Sequence, residues 1–288
     1  MMHRRPLVAI GLIAAAIAVV YTPIISSLVR QWASDENYSH GFLIVPFAAW
    51  FVWQQRAALE RTPLAPSNAG LAIAAVSLLI LLAGLFGAEL FLTRVSLIGI
   101  VAGAVLFICG WRWLRLLAFP IAFLLLAVPL PAVLFNQIAF PLQLLASRTG
   151  ETVLSLAGVP VLREGNILVL PTTTLEVAQA CSGIRSLMSL LTLGIILGKL
   201  REPRRWARVV LALLTVPVAI AANAARVAGT GLAANYIGPE AAEGFFHTFS
   251  GWLVFVVAFV LLLAAQKTMT RISARRAGVW TREVVPAR

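Results

Sequence analysis

Charged residues are scarce in this chain of 288 residues: Asp, Glu, Lys and Arg together make up 12% of it, whereas 60% is hydrophobic. Soluble domains carry about 25% charged residues, so an ordinary soluble protein is excluded. Intrinsic disorder is excluded as well, because it requires low hydrophobicity. Cysteine and histidine are also rare, with two and three copies. The composition therefore indicates an integral membrane protein with few reactive side chains.

Long apolar segments account for most of the sequence. A helix needs about 20 mostly apolar residues to cross the roughly 30 Å hydrocarbon core of a bilayer. The sequence therefore predicts an all-α integral membrane protein, a bundle of about eight transmembrane helices. Pro120, Pro129 and Pro131 predict a break in the outer half of the fifth helix. The predicted spans are residues 7–28, 40–55, 70–88, 95–110, 114–134, 182–199, 206–225 and 249–266.

The net charge of +12 would suggest nucleic-acid binding in a soluble protein. When the predicted spans are threaded with the N-terminus inside, 17 of the 23 basic residues fall on the inner side, but only 3 of the 11 acidic ones do. By the positive-inside rule, both termini are cytoplasmic. The basic residues are then expected to contact the lipid bilayer, and nucleic acid is not an expected partner.

The loops divide the chain into a membrane domain, residues 1–266, and a basic cytoplasmic tail, residues 267–288. The one long outer stretch, residues 135–181, is predicted to form a small outer subdomain. It consists of an amphipathic interfacial helix and a β-hairpin that turns at Gly165-Asn166, and it leads directly into Cys181. The glycine-rich segment 229–244 is predicted to be mainly a flexible connector.

The two cysteines lie near opposite membrane surfaces. Cys109 is at the inner end of the fourth predicted span, where we interpret it as a small buried apolar side chain. Cys181 is at the outer mouth of the sixth span. A disulfide needs Cα atoms within about 7 Å, so these two cysteines cannot pair. Cys181 is therefore a lone thiol on the oxidising side of the membrane.

The sequence around Cys181 favours a nucleophile. A thiol at the start of a helix is stabilised as thiolate by the helix dipole. The backbone N–H groups of Ser182 and Gly183 are candidates to stabilise an oxyanion, and Gly183 allows a peptide to approach closely. Arg185 follows at position i+4, on the same helical face.

Two further side chains are expected on the same outer side. Arg226 ends the seventh span, and an ionisable residue at that depth is a functional candidate. His247 opens the eighth span and would supply a general acid and base, with His40 as the rival candidate. The candidate metal ligands do not cluster in the sequence with the spacing of a zinc site. Neither a metal nor another cofactor is therefore expected.

Four short motifs in this order resemble the exosortase/archaeosortase family of polytopic membrane cysteine transpeptidases. They include Tyr38 and His40 in the first motif and Asn223 in the third, and together they extend from residue 37 to residue 252. The motifs are Asn37-Tyr38-Ser39-His40-Gly41-Phe42, Ala180-Cys181-Ser182-Gly183-Ile184-Arg185-Ser186-Leu187, Asn223-Ala224-Ala225-Arg226-Val227 and His247-Thr248-Phe249-Ser250-Gly251-Trp252.

The resemblance implies catalytic roles for Cys181 as nucleophile, Arg226 as oxyanion stabiliser and His247 as general acid and base, and it favours His247 over His40. It also implies membrane-tethered substrates with a C-terminal sorting signal: a short motif often containing Pro-Glu-Pro (PEP-CTERM), an apolar helix and a basic cluster. Cleavage on the periplasmic side of the bacterial inner membrane, transfer to a polysaccharide- or lipid-linked surface acceptor, and association with exopolysaccharide production follow from the same resemblance. The extra C-terminal domain of some family members is not expected here.

Two other classes fit a polytopic chain, a transporter and a scaffold for an export system. A transporter predicts polar or charged residues near the bilayer midplane, where this sequence has Leu, Ile, Val and Ala. A scaffold predicts that no single outer residue matters. Both predict that the chain functions without the Cys181 thiol.

Overall fold

The apolar segments of the sequence fold into helices, and the chain is mostly helical. The computed structural model describes residues 4–177, 183–238, 240 and 244–283, with side chains in 11–177, 183–238, 240 and 249–271. It divides into two compact units, Met1–Ala132 and Val133–Arg288.

The first unit contains six helices and two 3₁₀ segments. The helices are α1 (Arg4–Ser34), α2 (Gly41–Gln54), α3 (Arg56–Arg61), α4 (Ala69–Phe86), α5 (Leu90–Cys109) and α6 (Trp111–Phe123), and the 3₁₀ segments are Glu36–Tyr38 and Leu124–Ala127.

Two groups of contacts stabilise this unit. Helices α4 and α5 pack against each other along their length. Helix α1 packs against α5, and the Tyr21 hydroxyl of α1 lies 3.1 Å from Ser96 Oγ of α5. The indole of Trp32 donates a hydrogen bond to the carbonyl oxygen of Ala127 at 2.8 Å, and Phe51 of α2 packs edge-on against Phe123 of α6.

The described residues of the second unit form four helices and a small sheet. The helices are α7 (Ala132–Leu156, which starts one residue before the boundary), α8 (Ile184–Arg201), α9 (Arg205–Tyr236) and α10 (Gly244–Glu283), and the strands are β1 (Leu162–Glu164), β2 (Ile167–Val169) and β3 (Thr174–Glu176). Helices α8, α9 and α10 pack against one another, and Leu190, Ala219 and Ala258 form part of their shared core.

The sheet is antiparallel in the order β1-β2-β3. Its side chains share a core with α7 and the last turns of α9: Ala146, Leu154, Val159, Leu168, Leu170, Val177, Val227 and Ala234. A salt bridge of 2.8 Å between Arg163 and Glu151 adds a link from β1 to α7. The predicted hairpin at Gly165-Asn166 is confirmed, and a third strand extends it.

In the described part of the chain, five helical segments are long and apolar enough to cross a membrane, or six if the broken pair Trp111–Ala127 and Ala132–Leu156 is one span; the five are Gly11–Ser34, Ala69–Phe86, Leu90–Cys109, Arg205–Tyr236 and Phe249–Arg271. The count of eight stays a prediction, because α2 has only 14 residues and α8 carries basic residues at both ends. The break in the fifth span is confirmed, since the helical structure ends at Ala127, just before Pro129.

One segment differs from the sequence prediction. The segment 229–244 is not mainly a connector, because α9 continues to Tyr236 and packs its final turns on the sheet core. Helix α10 continues beyond the predicted eighth span to Glu283, into the predicted basic tail.

Candidate active site

Helix α9 carries two of the predicted site residues, Asn223 and Arg226, three positions apart and therefore on neighbouring turns of one face. The side chain of Asn223 is buried, and that of Arg226 is half-buried with its Nε atom enclosed by protein. Because α9 packs against both α8 and α10, each side chain reaches a different neighbouring helix.

Asn223 contacts the start of α8 at Gly183. Gly183 is the N-cap of this helix and has φ +78°, a left-handed conformation that disfavours other residues. A Cβ atom at this position would lie 2.9 Å from both Cβ and Cγ of Asn223. Glycine is therefore required twice over, for its backbone conformation and for the close approach of the Asn223 side chain.

Arg226 contacts the beginning of α10 at Gly251. A Cβ atom there would lie 3.1 Å from both Cζ and one terminal nitrogen of the Arg226 guanidinium, which is tighter than ordinary packing. Gly251 comes four residues after His247 in the same helix, so their Cα atoms lie on one helical face. The sequence analysis quoted Gly251 in a motif without giving it a role; the spacing from His247 is the signal that could have identified it.

The position of Arg226 along α9 matches a membrane boundary. From Arg205 to Arg226 the helix rises about 32 Å, at about 1.5 Å per residue. The hydrocarbon core of a bilayer is about 30 Å thick. If Arg205 lies at one surface and the helix is upright, Arg226 lies at the opposite surface, and the turns beyond it that contact the sheet lie outside the hydrocarbon.

A small crevice lies beside the contact between Gly183 and Asn223. It is lined by α7, α8 and α9 and offers about 10 Å³ to a water molecule, close to the volume of one. Arg185, predicted to share the site, is in the first turn of α8 and half-buried, with its Nε atom enclosed by protein. The first turn of α8 therefore carries a basic side chain next to the Gly183 contact.

The remaining members of the predicted site fall outside the described part of the chain. Cys181 and Ser182 are among the residues not described, and the backbone of His247 belongs to α10 but its side chain is not described. Their assignment as nucleophile, oxyanion donor and general base stays a prediction. Within the described side chains, no group of three or more His, Cys, Asp or Glu residues is arranged to hold a metal ion.

Tyr38 and His40 belong to the first unit, and both are buried. The Nε2 atom of His40 lies 3.3 Å from the carbonyl oxygen of Leu126, which fits donation by an Nε2–H tautomer, while Nδ1 is enclosed without a hydrogen-bond partner. Burial raises the pKa of the Tyr38 hydroxyl above its ordinary value, and the negative charge of Asp35 adds to the shift. These contacts tie the first motif to the 3₁₀ turn at the end of α6.

A family model described as transmembrane exosortase (Exosortase_EpsH) matches residues 32–264, which is most of the chain and includes all four motifs. No curated protein and no solved structure matches the chain significantly.

Proposed function

Because the chain belongs to the transmembrane exosortase family, we propose that it is a membrane-embedded cysteine transpeptidase in which Cys181, Arg226 and His247 perform the reaction. The observation that carries this proposal is the double contact made by one face of α9. Asn223 contacts Gly183, in the cysteine motif, and Arg226 contacts Gly251, in the histidine motif.

Covalent geometry supports bringing the three motifs together. Two peptide units separate Cys181 from Gly183, so their Cα atoms lie within about 7.6 Å of each other in any conformation. His247 precedes Gly251 by one helical turn, which separates their Cα atoms by about 6 Å along the axis. Since Asn223 and Arg226 are neighbours on α9, both reactive residues are expected within reach of the Arg226 guanidinium.

The proposed reaction has two steps. The Cys181 thiolate attacks the carbonyl carbon of the scissile peptide, and the resulting oxyanion is stabilised by Arg226 and the N–H groups of Ser182 and Gly183. The C–N bond then breaks as His247 donates a proton to the leaving amine, which leaves a thioester on Cys181. An acceptor amine attacks the thioester while His247 removes its proton, and the thiolate departs; water as acceptor gives hydrolysis.

The proposed topology has eight crossings, with both termini in the cytoplasm and the site at the periplasmic surface of the inner membrane. The depth of Arg226 supports it, because the basic start of α9 and Arg226 are one hydrocarbon thickness apart. The proposed substrates are exported proteins still tethered by a C-terminal sorting signal of a short Pro-Glu-Pro-like motif, an apolar helix and a basic cluster. The proposed acceptor is a surface polysaccharide or a lipid-linked group.

The experiment that tests this proposal removes the nucleophile. We expect Cys181→Ala to lower cleavage of a membrane-tethered substrate by at least about a thousand-fold, because no thioester can form. Processing is followed in proteoliposomes containing the full chain, and the thioester of the unaltered protein is identified by its mass. Cys109→Ala is the matched control, since Cys109 lies at the end of α5 in the other unit. Unchanged processing by Cys181→Ala would reject Cys181 as the nucleophile, and no processing by the unaltered chain would favour a transporter or scaffold instead.

A further inference from the structure

The register of the small sheet directs alternate backbone groups of β3 away from β2. Leu168 pairs with Leu175, and the hydrogen bonds from Leu170 N to Thr173 O and from Val177 N to Asn166 O continue the same ladder. In an antiparallel pair, every second residue directs its N–H and C=O groups toward the partner strand. Residues 173, 175 and 177 therefore bond toward β2, and Thr174 and Glu176 direct their backbone groups to the opposite side.

This outward side of β3 is an edge of the sheet. Among the described residues the sheet has three strands with β3 at its edge, and the side chains of Thr174 and Glu176 are exposed. Backbone groups with no hydrogen-bond partner are too costly to place in hydrocarbon, so this edge lies outside the bilayer core. An edge strand of this kind is a template to which a further extended segment can add.

The same edge leads toward the proposed nucleophile. Cys181 comes five positions after Glu176, so their Cα atoms are at most about 18 Å apart. The sheet is held against α7 and the end of α9, and Val177, the residue after β3, is buried in that core. A segment bound along β3 would therefore begin within a few residues of the proposed cleavage point.

We propose that the β3 edge binds the substrate polypeptide as an added strand next to the cleavage site, which rests on the proposed function. The N–H and C=O groups of Thr174 and Glu176 form up to four hydrogen bonds with a substrate segment about three residues long. Main-chain bonds of this kind contribute affinity without selecting side chains. The edge holds the substrate extended, as attack on a peptide carbonyl requires, and it is a binding element separate from the catalytic residues.

Backbone chemistry of the substrate tests this proposal directly. The probe is a membrane-inserted peptide with a Pro-Glu-Pro motif, an apolar helix and a basic cluster, with single N-methyl groups at successive non-proline residues around the cleavage point. We expect the methyl group to raise KM about three- to ten-fold at every second position only, since one hydrogen bond is lost there. A uniform effect or no effect at all positions overturns the proposal.

A variant of the full chain gives the complementary test. Glu176→Pro removes one outward N–H group while leaving the bonds to β2, and proline is tolerated at such an edge. We expect KM to rise with little change in kcat. Arg163→Pro is the control, because Arg163 directs its N–H to the opposite edge of the sheet. It also removes the salt bridge to Glu151 and is therefore the harsher change to the sheet, so a smaller rise in KM than in Glu176→Pro supports the β3 edge. If both variants lose activity equally through misfolding, the N-methyl series decides. If Cys181→Ala is inactive but the effect of N-methylation on KM does not alternate along the peptide, only the role of the β3 edge is rejected. If Cys181→Ala is fully active, the proposed function is rejected.

Discussion

The contact between Arg226 and Gly251 shows how one missing methyl group can set the position of a charged side chain. A Cβ atom on residue 251 would lie 3.1 Å from Cζ of the guanidinium, closer than ordinary packing. Arginine has a planar, rigid fork of donors, so a small displacement changes the direction of every hydrogen bond it can make to an oxyanion. Gly251 therefore acts as a positioning residue for Arg226.

We expect Gly251→Ala to lower kcat about ten-fold with little change in KM, because the added methyl moves the guanidinium by a few tenths of an ångström. Steady-state kinetics of substrate cleavage measures the two constants separately. Gly229→Ala is the control: Gly229 lies in α9 one turn after Arg226, and a Cβ there meets nothing within 4 Å. A normal kcat in Gly251→Ala would contradict the positioning role.

At the scale of whole elements, α9 links the membrane helices to the sheet. Its last turns pack on the core that α7 and the strands share, and Leu154 of α7 is fully buried there against Gly231 of α9. Stabilising this core fixes the strand that precedes Cys181 relative to the helix that carries Arg226. The stability of the sheet is therefore coupled to the geometry of the proposed site.

Leu154→Ala is expected to reduce the free energy of unfolding by about 2–5 kcal/mol, because it opens a cavity in this core. Thermal unfolding of the purified chain in detergent measures the change. Leu156→Ala is a matched control in the same helix, since Leu156 is 84% exposed and should change stability far less. Equal destabilisation by the two substitutions would show that the core around Leu154 does not hold the sheet.

Local signals made part of this architecture predictable. The hairpin follows from the Gly165-Asn166 turn between apolar residues, and the break before Pro129 follows from the chemistry of proline. The extension of α9 was not predictable, because Gly229 and Gly231 in a short window indicate a loop. Gly231 is instead needed for the close approach of Leu154, a contact between residues distant in sequence.

For the molecule as a whole, the sequence correctly predicted a helical membrane protein of the exosortase family. The spacing of apolar runs predicts the membrane helices, because it reflects the thickness of the bilayer, and the four short motifs carry the resemblance to the family. They do not determine the contacts between spans. The pairs Gly183–Asn223 and Arg226–Gly251 join three helices, and their sequence separations of 40 and 25 residues place them beyond any local pattern.

The fixed length of α9 between Arg205 and Arg226 has a consequence for lipid dependence. A bilayer thicker than this interval would draw the guanidinium into hydrocarbon, and a thinner one would lift the site away from a substrate tethered in the same membrane. We therefore expect activity in proteoliposomes to pass through a maximum as acyl chains are lengthened from 14 to about 22 carbons, measured at constant protein-to-lipid ratio. Flat activity across the series would contradict this. Hydrophobic mismatch would thus let membrane composition regulate the proposed activity, because the length of α9 sets the bilayer thickness at which activity is highest.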